Sequence, residues 1–252
     1  MQQQAVECRF ASSDSWVILS PIEQSIKQKI DTIGTPLKDW NINIYRGVLT
    51  GYNDAFIIST EKRNEILANC QTEDERTRTA ELIRPILRGR DIKRYAYNWA
   101  GLYLIATFPS RHYDIEMYPA VKQYLLTFGI EKLEQTGKAY IVNGEKIKAR
   151  KKTNNKWFEI QDSISYWEDF SKPKIVWGNL NLTPNYALVE NNSFINAPSS
   201  MIVPASKYLL AILNSKIADF YIKLLGVTRN GGYFEYKPMF IEQLPIPQLK
   251  IE

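Results

Sequence analysis

The chain has 252 residues, 44% hydrophobic and 23% charged, which is enough apolar side chain for a buried core and excludes a disordered polyelectrolyte. A formal charge of +5 tilts the surface toward polyanionic partners. Two cysteines far apart (Cys8, Cys70) and a single histidine (His112) argue against a zinc site and a His-based triad.

The opening MQQQAVECRF lacks the cationic and apolar regions of a signal peptide, and no apolar run is long enough to span a bilayer. A cytoplasmic, reduced setting is therefore expected. Along the chain, Ile22, Ile26, Ile30 and Ile33 recur at helical spacing and predict a helix over 22–33, stopped by Gly34. NINIY (41–45) and AFIIS (55–59) read as two strands. Between them Gly47 and Gly51 permit a shaped turn that Thr50 and Asn53 can hold by side-chain bonds. Thr72 starts a capping-box pattern, with a helix expected to end near Arg84-Pro85. A basic turn at 87–92 precedes LYLIA (102–106), a buried strand, and Pro119 opens a helix carrying Val121, Leu125 and Phe128 inward.

Residues 138–156 are polar and rich in Lys and Arg, with Asn143-Gly144 inside the run and Trp157-Phe158 at its end. KIVW (174–177) and YALVE (186–190) read as short strands, and 207–225 as a long amphipathic helix closed by Gly226. Strands and helices mix without regular alternation. The expected fold class is α+β (irregular α/β), a mixed sheet with peripheral helices and a long C-terminal amphipathic helix.

Catalytic motifs are missing. Gly51 is followed by Tyr52-Asn53, not the Lys-Ser/Thr of a phosphate loop. No spaced-glycine dinucleotide fingerprint follows a strand. Thr183-Pro184-Asn185-Tyr186 is a scrambled version of the Asn-Pro-Pro-Tyr motif of adenine methyltransferases and reads better as a turn. Glu73-Asp74-Glu75 suits a helix start more than a metal site.

Three basic segments remain. Lys146, Lys148, Arg150, Lys151, Lys152 and Lys156 adjoin Trp157; Arg84, Arg88, Arg90, Lys93 and Arg94 surround Gly89; and Arg229-Asn230 open a glycine-rich loop. Such loops can neutralise phosphates or form a solvated surface, and the residues alone leave both readings open.

Several stretches together resemble the TaqI-like C-terminal specificity domain. They are Arg46-Gly47 with Thr50-Gly51-Tyr52-Asn53 and Ala55-Phe56, then Leu87 to Ile92 with Tyr95, Lys172 to Val176, Leu213 to Lys216, and Leu244 to Pro247. The resemblance implies a target recognition domain of type IIG restriction–modification enzymes or adenine-N6 DNA methyltransferases. It would read double-stranded DNA and present the target adenine to a catalytic domain lying outside this chain. It also implies residues 1–40 as a connector from an upstream domain, with 41–252 as the recognition domain, in a bacterial or archaeal cytoplasm. S-adenosylmethionine, and Mg²⁺ if a nuclease is present, are expected in the other domains, and no cofactor in this one.

On that reading Arg46, Arg88, Arg90, Lys148, Arg150, Lys151, Lys152, Trp157, Arg229 and Asn230 are the expected DNA-contacting residues. Arg88 and Arg90 project from a turn held by Gly89. Their place in a family motif suits scaffold or phosphate, so Arg150, Lys151 and Lys152 are equal candidates for reading bases. A protein-interaction domain, an RNA binder and a self-sufficient methyltransferase or nuclease are the alternatives.

Overall fold

A computed structural model describes residues 18–248; Cys8 and the first part of the expected connector lie outside them. Helix α1 (Pro21–Ile33) begins with a reciprocal cap, Ser20 and Glu23 each bonding the other's backbone N–H. Strand β1 (Asn43–Arg46) follows, then β2 (Ile57–Ser59), α2 (Thr60–Ala68), α3 (Glu73–Leu82), β3 (Ile83–Leu87) and β4 (Leu102–Ile105). Next come α4 (Pro119–Leu126), β5 (Ala139–Val142), β6 (Glu145–Lys148), β7 (Lys174–Trp177), β8 (Tyr186–Val189), β9 (Phe194–Ile195) and β10 (Ser200–Val203). Helices α5 (Lys207–Leu213) and α6 (Lys216–Leu225) lie toward the C-terminal end. The mixed α+β class expected from the sequence is what the chain adopts.

Two four-stranded sheets organise it. The central one runs β8–β7–β10–β1, antiparallel throughout. The other runs β9–β3–β4–β2, with β9 parallel to β3. Both faces of the central sheet are buried. Ile175, Trp177, Tyr186 and Ile202 join the cluster under α5 and α6. Their neighbours Val176, Ala187, Val189, Met201 and Val203 join the larger cluster that includes the second sheet. The strand period of two thus divides one short sheet between two cores. Each fully buried large apolar side chain contributes about 1.5–3 kcal/mol.

Local chemistry accounts for the departures from expectation. AFIIS is not one strand: Asn53–Phe56 forms a helical turn and only Ile57–Ser59 is extended. The strands flanking the glycine motif therefore enter different sheets. The helix after Thr72 stops at Leu82, one residue before a strand that runs through Pro85. The amphipathic stretch 207–225 is two consecutive helices. Asn214 ends the first, and Ser215 caps the second by accepting from Ala218 N–H at 3.1 Å.

Part of the expected connector belongs to the body. Leu37 is fully buried, and Thr35–Pro36 pairs with Pro245–Ile246. α1 has no buried residue, and Ile22 and Ile33 are 73% and 66% exposed.

Candidate nucleic-acid interface

The register of the central sheet puts Arg46, Ser200, Trp177 and Tyr186 in one row across its four strands. With strands about 4.8 Å apart, that row is roughly 14 Å wide. Polar loops leave from it. Gly47 donates to the Ser199 carbonyl at 2.7 Å, and a Cβ here would lie 2.4 Å from the Ile195 carbonyl oxygen. Its glycine is needed for close approach. Gly51, at φ +78°, is needed for its backbone angle. Thr50 donates to Asn53 Oδ1 at 2.7 Å and accepts from Tyr52 N–H, holding the turn.

The Gly89–Asp91 turn sits against the same end of the sheet. Asn196 N–H donates to the Leu87 carbonyl at 2.8 Å, and a Cβ on Gly89 would stand 3.0 Å from Ser199 Oγ. The glycine-rich loop joins from the far side: Phe234–Glu235 pairs with Leu180–Asn181, and Tyr236 N–H donates to the Asn179 carbonyl at 2.8 Å. An open cavity of about 580 Å³ results, lined by Asn179, Pro198, Arg229, Asn230, Glu235 and Lys237 among others. Arg46, Arg88, Arg90, Arg229 and Asn230 are thus brought to one end of the molecule.

Their charges are not equally free. Arg46 is paired with Asp162 at 2.7 Å, though its side chain is 60% exposed. Arg88 grips Asp91 with Nε and Nη2 at 3.0 and 2.8 Å. Burial pushes the Asp91 carboxyl up, but the bonds from the Arg88 side chain and backbone outweigh it and hold the group below the usual carboxylate range. Glu235 takes both Lys237 and Arg229, which hold it low. Arg90 and Lys93 are exposed, and neither has a carboxylate within ion-pair reach among the described residues.

The third basic segment is a hairpin. β5 and β6 pair in full register around Asn143-Gly144, whose positive φ angles of 51° and 82° suit a tight turn. Lys148, Lys151 and Lys152 are exposed. Arg150 is 5% exposed and occupied. Its guanidinium donates to the carbonyls of Leu133, Thr50, Glu159 and Trp157 at 2.6–3.2 Å and lies 5.0 Å from the Phe56 ring centre. Burial lowers its pKa to about 10 against the pull of Glu159, so the charge persists at neutral pH. Arg150, expected among the DNA-contacting residues, has its donors spent on backbone carbonyls and fastens the hairpin base to the glycine motif. Trp157 is half-buried, edge-on to Phe158 at 5.5 Å, and its carbonyl serves Arg150.

Residues 84–246, more than half of the chain, match the TaqI-like C-terminal specificity domain. The chain belongs to that family. No curated protein matches it. Among solved structures it is similar to the type IIG restriction endonuclease BpuSI, at 13% identity and TM-score 0.55 over 90% of this chain and 26% of that one. It is also similar to the type IIL restriction–modification enzyme MmeI, solved in complex with DNA, at 11% identity and TM-score 0.54 over 83% and 25%. The specificity domain therefore spans about a quarter of either structure's length.

The blocks that carried the resemblance hold the specificity domain together. Asp91 ties down Arg88. Lys174, fully buried, donates to the carbonyls of Phe170 and Asn191 at 2.6 and 2.8 Å. Leu244 and Ile246 are core residues. The Arg46–Phe56 stretch lies outside the matched residues. Sequence reasoning missed Asn179 and Lys237, which line the cavity of the candidate interface. Lys237 stands eight residues beyond Arg229 and was within reach of a charge count; a lone asparagine after a strand carries no such signal.

Proposed function

We propose that this chain reads a short double-stranded DNA sequence as the specificity domain of a type IIG-like restriction–modification enzyme or adenine-N6 DNA methyltransferase. It would hold the target adenine toward a catalytic domain outside the chain. The observation that carries the reading is the gathering of the Arg46, Arg90 and Arg229–Asn230 loops at one end of a sheet fixed on both faces. Arg90 and Lys93 have free charges for phosphates, and the amides of Asn179 and Asn230 have the donor–acceptor pattern that pairs with adenine in a major groove. Lys148, Lys151 and Lys152 extend the basic surface along the hairpin.

The catalytic partner belongs against α1. Ile26, Ile30 and Ile33 with Ile212, Ile217 and Leu244 line an almost wholly apolar groove of about 410 Å³, a surface that water disfavours. The solved relatives carry roughly three quarters of their length outside the shared fold. S-adenosylmethionine, and Mg²⁺ for a nuclease, would be bound by that partner. Among the described residues no group of acids, His and Cys forms a metal-binding cluster, and no helix is long and apolar enough to cross a membrane. A bacterial or archaeal cytoplasm is the setting this role requires.

The test is selection of duplexes from a random-sequence pool by the purified chain at low salt. Enrichment of a short motif supports the reading. A folded chain that retains no duplex at any salt concentration refutes it.

A further inference from the structure

A second cavity, of about 320 Å³, lies where α3, β3 and the turn Trp167–Ser171 meet. Its size is at the small end of ligand pockets. Arg78, Arg84 and Arg111 line it together with Tyr118, Trp167 and Phe170. None of the three arginines has a carboxylate within ion-pair distance among the described residues, and Glu81 is the one acid in the lining. Arg78 Nε is buried without a hydrogen-bond partner, and its Nη2 reaches only the Met117 carbonyl at 3.4 Å.

The walls add planes to the charges. The Arg111 guanidinium lies 4.0 Å over the Trp167 ring and Tyr118 meets Tyr113 edge-on at 5.9 Å, while Phe170 is buried behind them against Tyr166 and Phe194. Burial raises the Tyr118 hydroxyl above its ordinary range, so it stays a neutral donor. Guanidiniums suit phosphate oxygens, and aromatic rings with a guanidinium plane suit a nucleobase. A fatty ligand would strand the arginines, and a bare anion would leave the rings unused.

We propose that this cavity binds a nucleotide unit, its phosphate taken by Arg78, Arg84 and Arg111 and its base by the aromatic wall. The unit can come from a free mononucleotide or from an unstacked position in a nucleic-acid strand. Arg84 stands on β3 and Arg88 just beyond its end, four residues or about 13 Å away along an extended strand. A strand held at the Arg90 turn passes close enough to deliver one nucleotide.

The experiment titrates the chain with dAMP, adenosine, inorganic phosphate and a short single-stranded oligonucleotide, read by calorimetry and tryptophan fluorescence. Arg84→Ala and Arg111→Ala are compared with wild type after their thermal midpoints are matched. A free nucleotide source is established if dAMP binds at least about tenfold more tightly than adenosine or phosphate and both variants lose that margin. A strand source is established if the oligonucleotide alone shows the loss. If neither dAMP nor the oligonucleotide is weakened by either folded variant, the cavity is not a nucleotide site. The strand source rests on the proposed reading of DNA, whereas dAMP binding does not, so a failed duplex selection and a failed nucleotide site are told apart by the dAMP titration.

Discussion

Asn214 pairs with both backbone groups of Tyr186: its Oδ1 accepts from Tyr186 N–H at 3.1 Å and its Nδ2 donates to the Tyr186 carbonyl at 3.0 Å. One side chain thereby extends the ladder of β8 and closes α5. Nδ2 also reaches the Leu210 carbonyl at 3.1 Å. Replacing it leaves the buried Tyr186 N–H without a partner, while the Tyr186 carbonyl keeps the Tyr95 N–H at 2.8 Å. Asn214→Ala should lower unfolding free energy by about 2–4 kcal/mol in urea titration. A loss below about 0.5 kcal/mol would show that water replaces the amide.

Arg150 gives the second prediction. Arg150→Met leaves the Leu133 and Trp157 carbonyls without their donor, while those of Thr50 and Glu159 keep Gln161 N–H and Gln135 Nε2, and should destabilise the chain by about 3 kcal/mol. Where the variant is still folded, the salt dependence of duplex binding should match wild type. Lys151→Glu with Lys152→Glu should do the opposite, leaving the unfolding midpoint in place and flattening the salt slope. If Arg150→Met changes the slope as strongly as the lysine pair, Arg150 reaches DNA after all.

Arg90 and Lys93 should act as phosphate contacts. Arg90→Ala with Lys93→Ala is expected to weaken all duplexes similarly and reduce the slope of log K against log salt by about 1.8. A variant that changes which sequence is preferred, at unaltered slope, would make these residues base readers.

Lys174 sets a pH dependence. Burial pulls its ammonium down to about 8, whereas in an unfolded chain it titrates near about 10.4. Below about pH 8 both states hold the proton and the cost of burying the charge is constant. Above it the folded state loses the proton first, the unfolded state binds more, and stability rises with pH. The stability difference between wild type and Lys174→Met should therefore grow in favour of wild type from about pH 8 to about pH 10. A flat difference in chemical denaturation across that range would mean that the carbonyls keep the ammonium charged.

The α1 groove is the fifth. Ile33→Glu with Ile217→Lys alters groove side chains that are 66% and 60% exposed, so the unfolding midpoint should hold within about 0.5 kcal/mol. Capture of a co-expressed adenine methyltransferase domain should be lost. Capture undiminished by the pair would put the catalytic partner elsewhere.

Much of this was readable in the order of residues, because its causes are local. The isoleucine spacing gave α1, Pro119 opened α4, and the apolar runs LYLIA and KIVW are strands. What escaped depends on residues far apart in sequence. AFIIS is apolar enough for either conformation, and the Thr50–Asn53 bond next to it decides for a helical turn. The division of 207–225 follows from Asn214 meeting a strand 28 residues earlier. Arg150 belongs to a run of exposed lysines, and only the carbonyls of Leu133 and Thr50, brought to it by the fold, draw it inside. A charge pattern says nothing about which one of its members is enclosed.

The double burial of the central sheet bears on how such a domain changes its target. Every apolar residue of β7 and β10 is committed to one core or the other, and Lys174 and Ser200 are buried with them, so a mutation within the strands is penalised whichever way it points. The exposed residues at 93–96, 182–183 and 227–233 carry no such double constraint. Selection can rewrite them one at a time while the frame stays still, and a new recognition sequence can be acquired by exchanging loops between homologues instead of by rebuilding the fold.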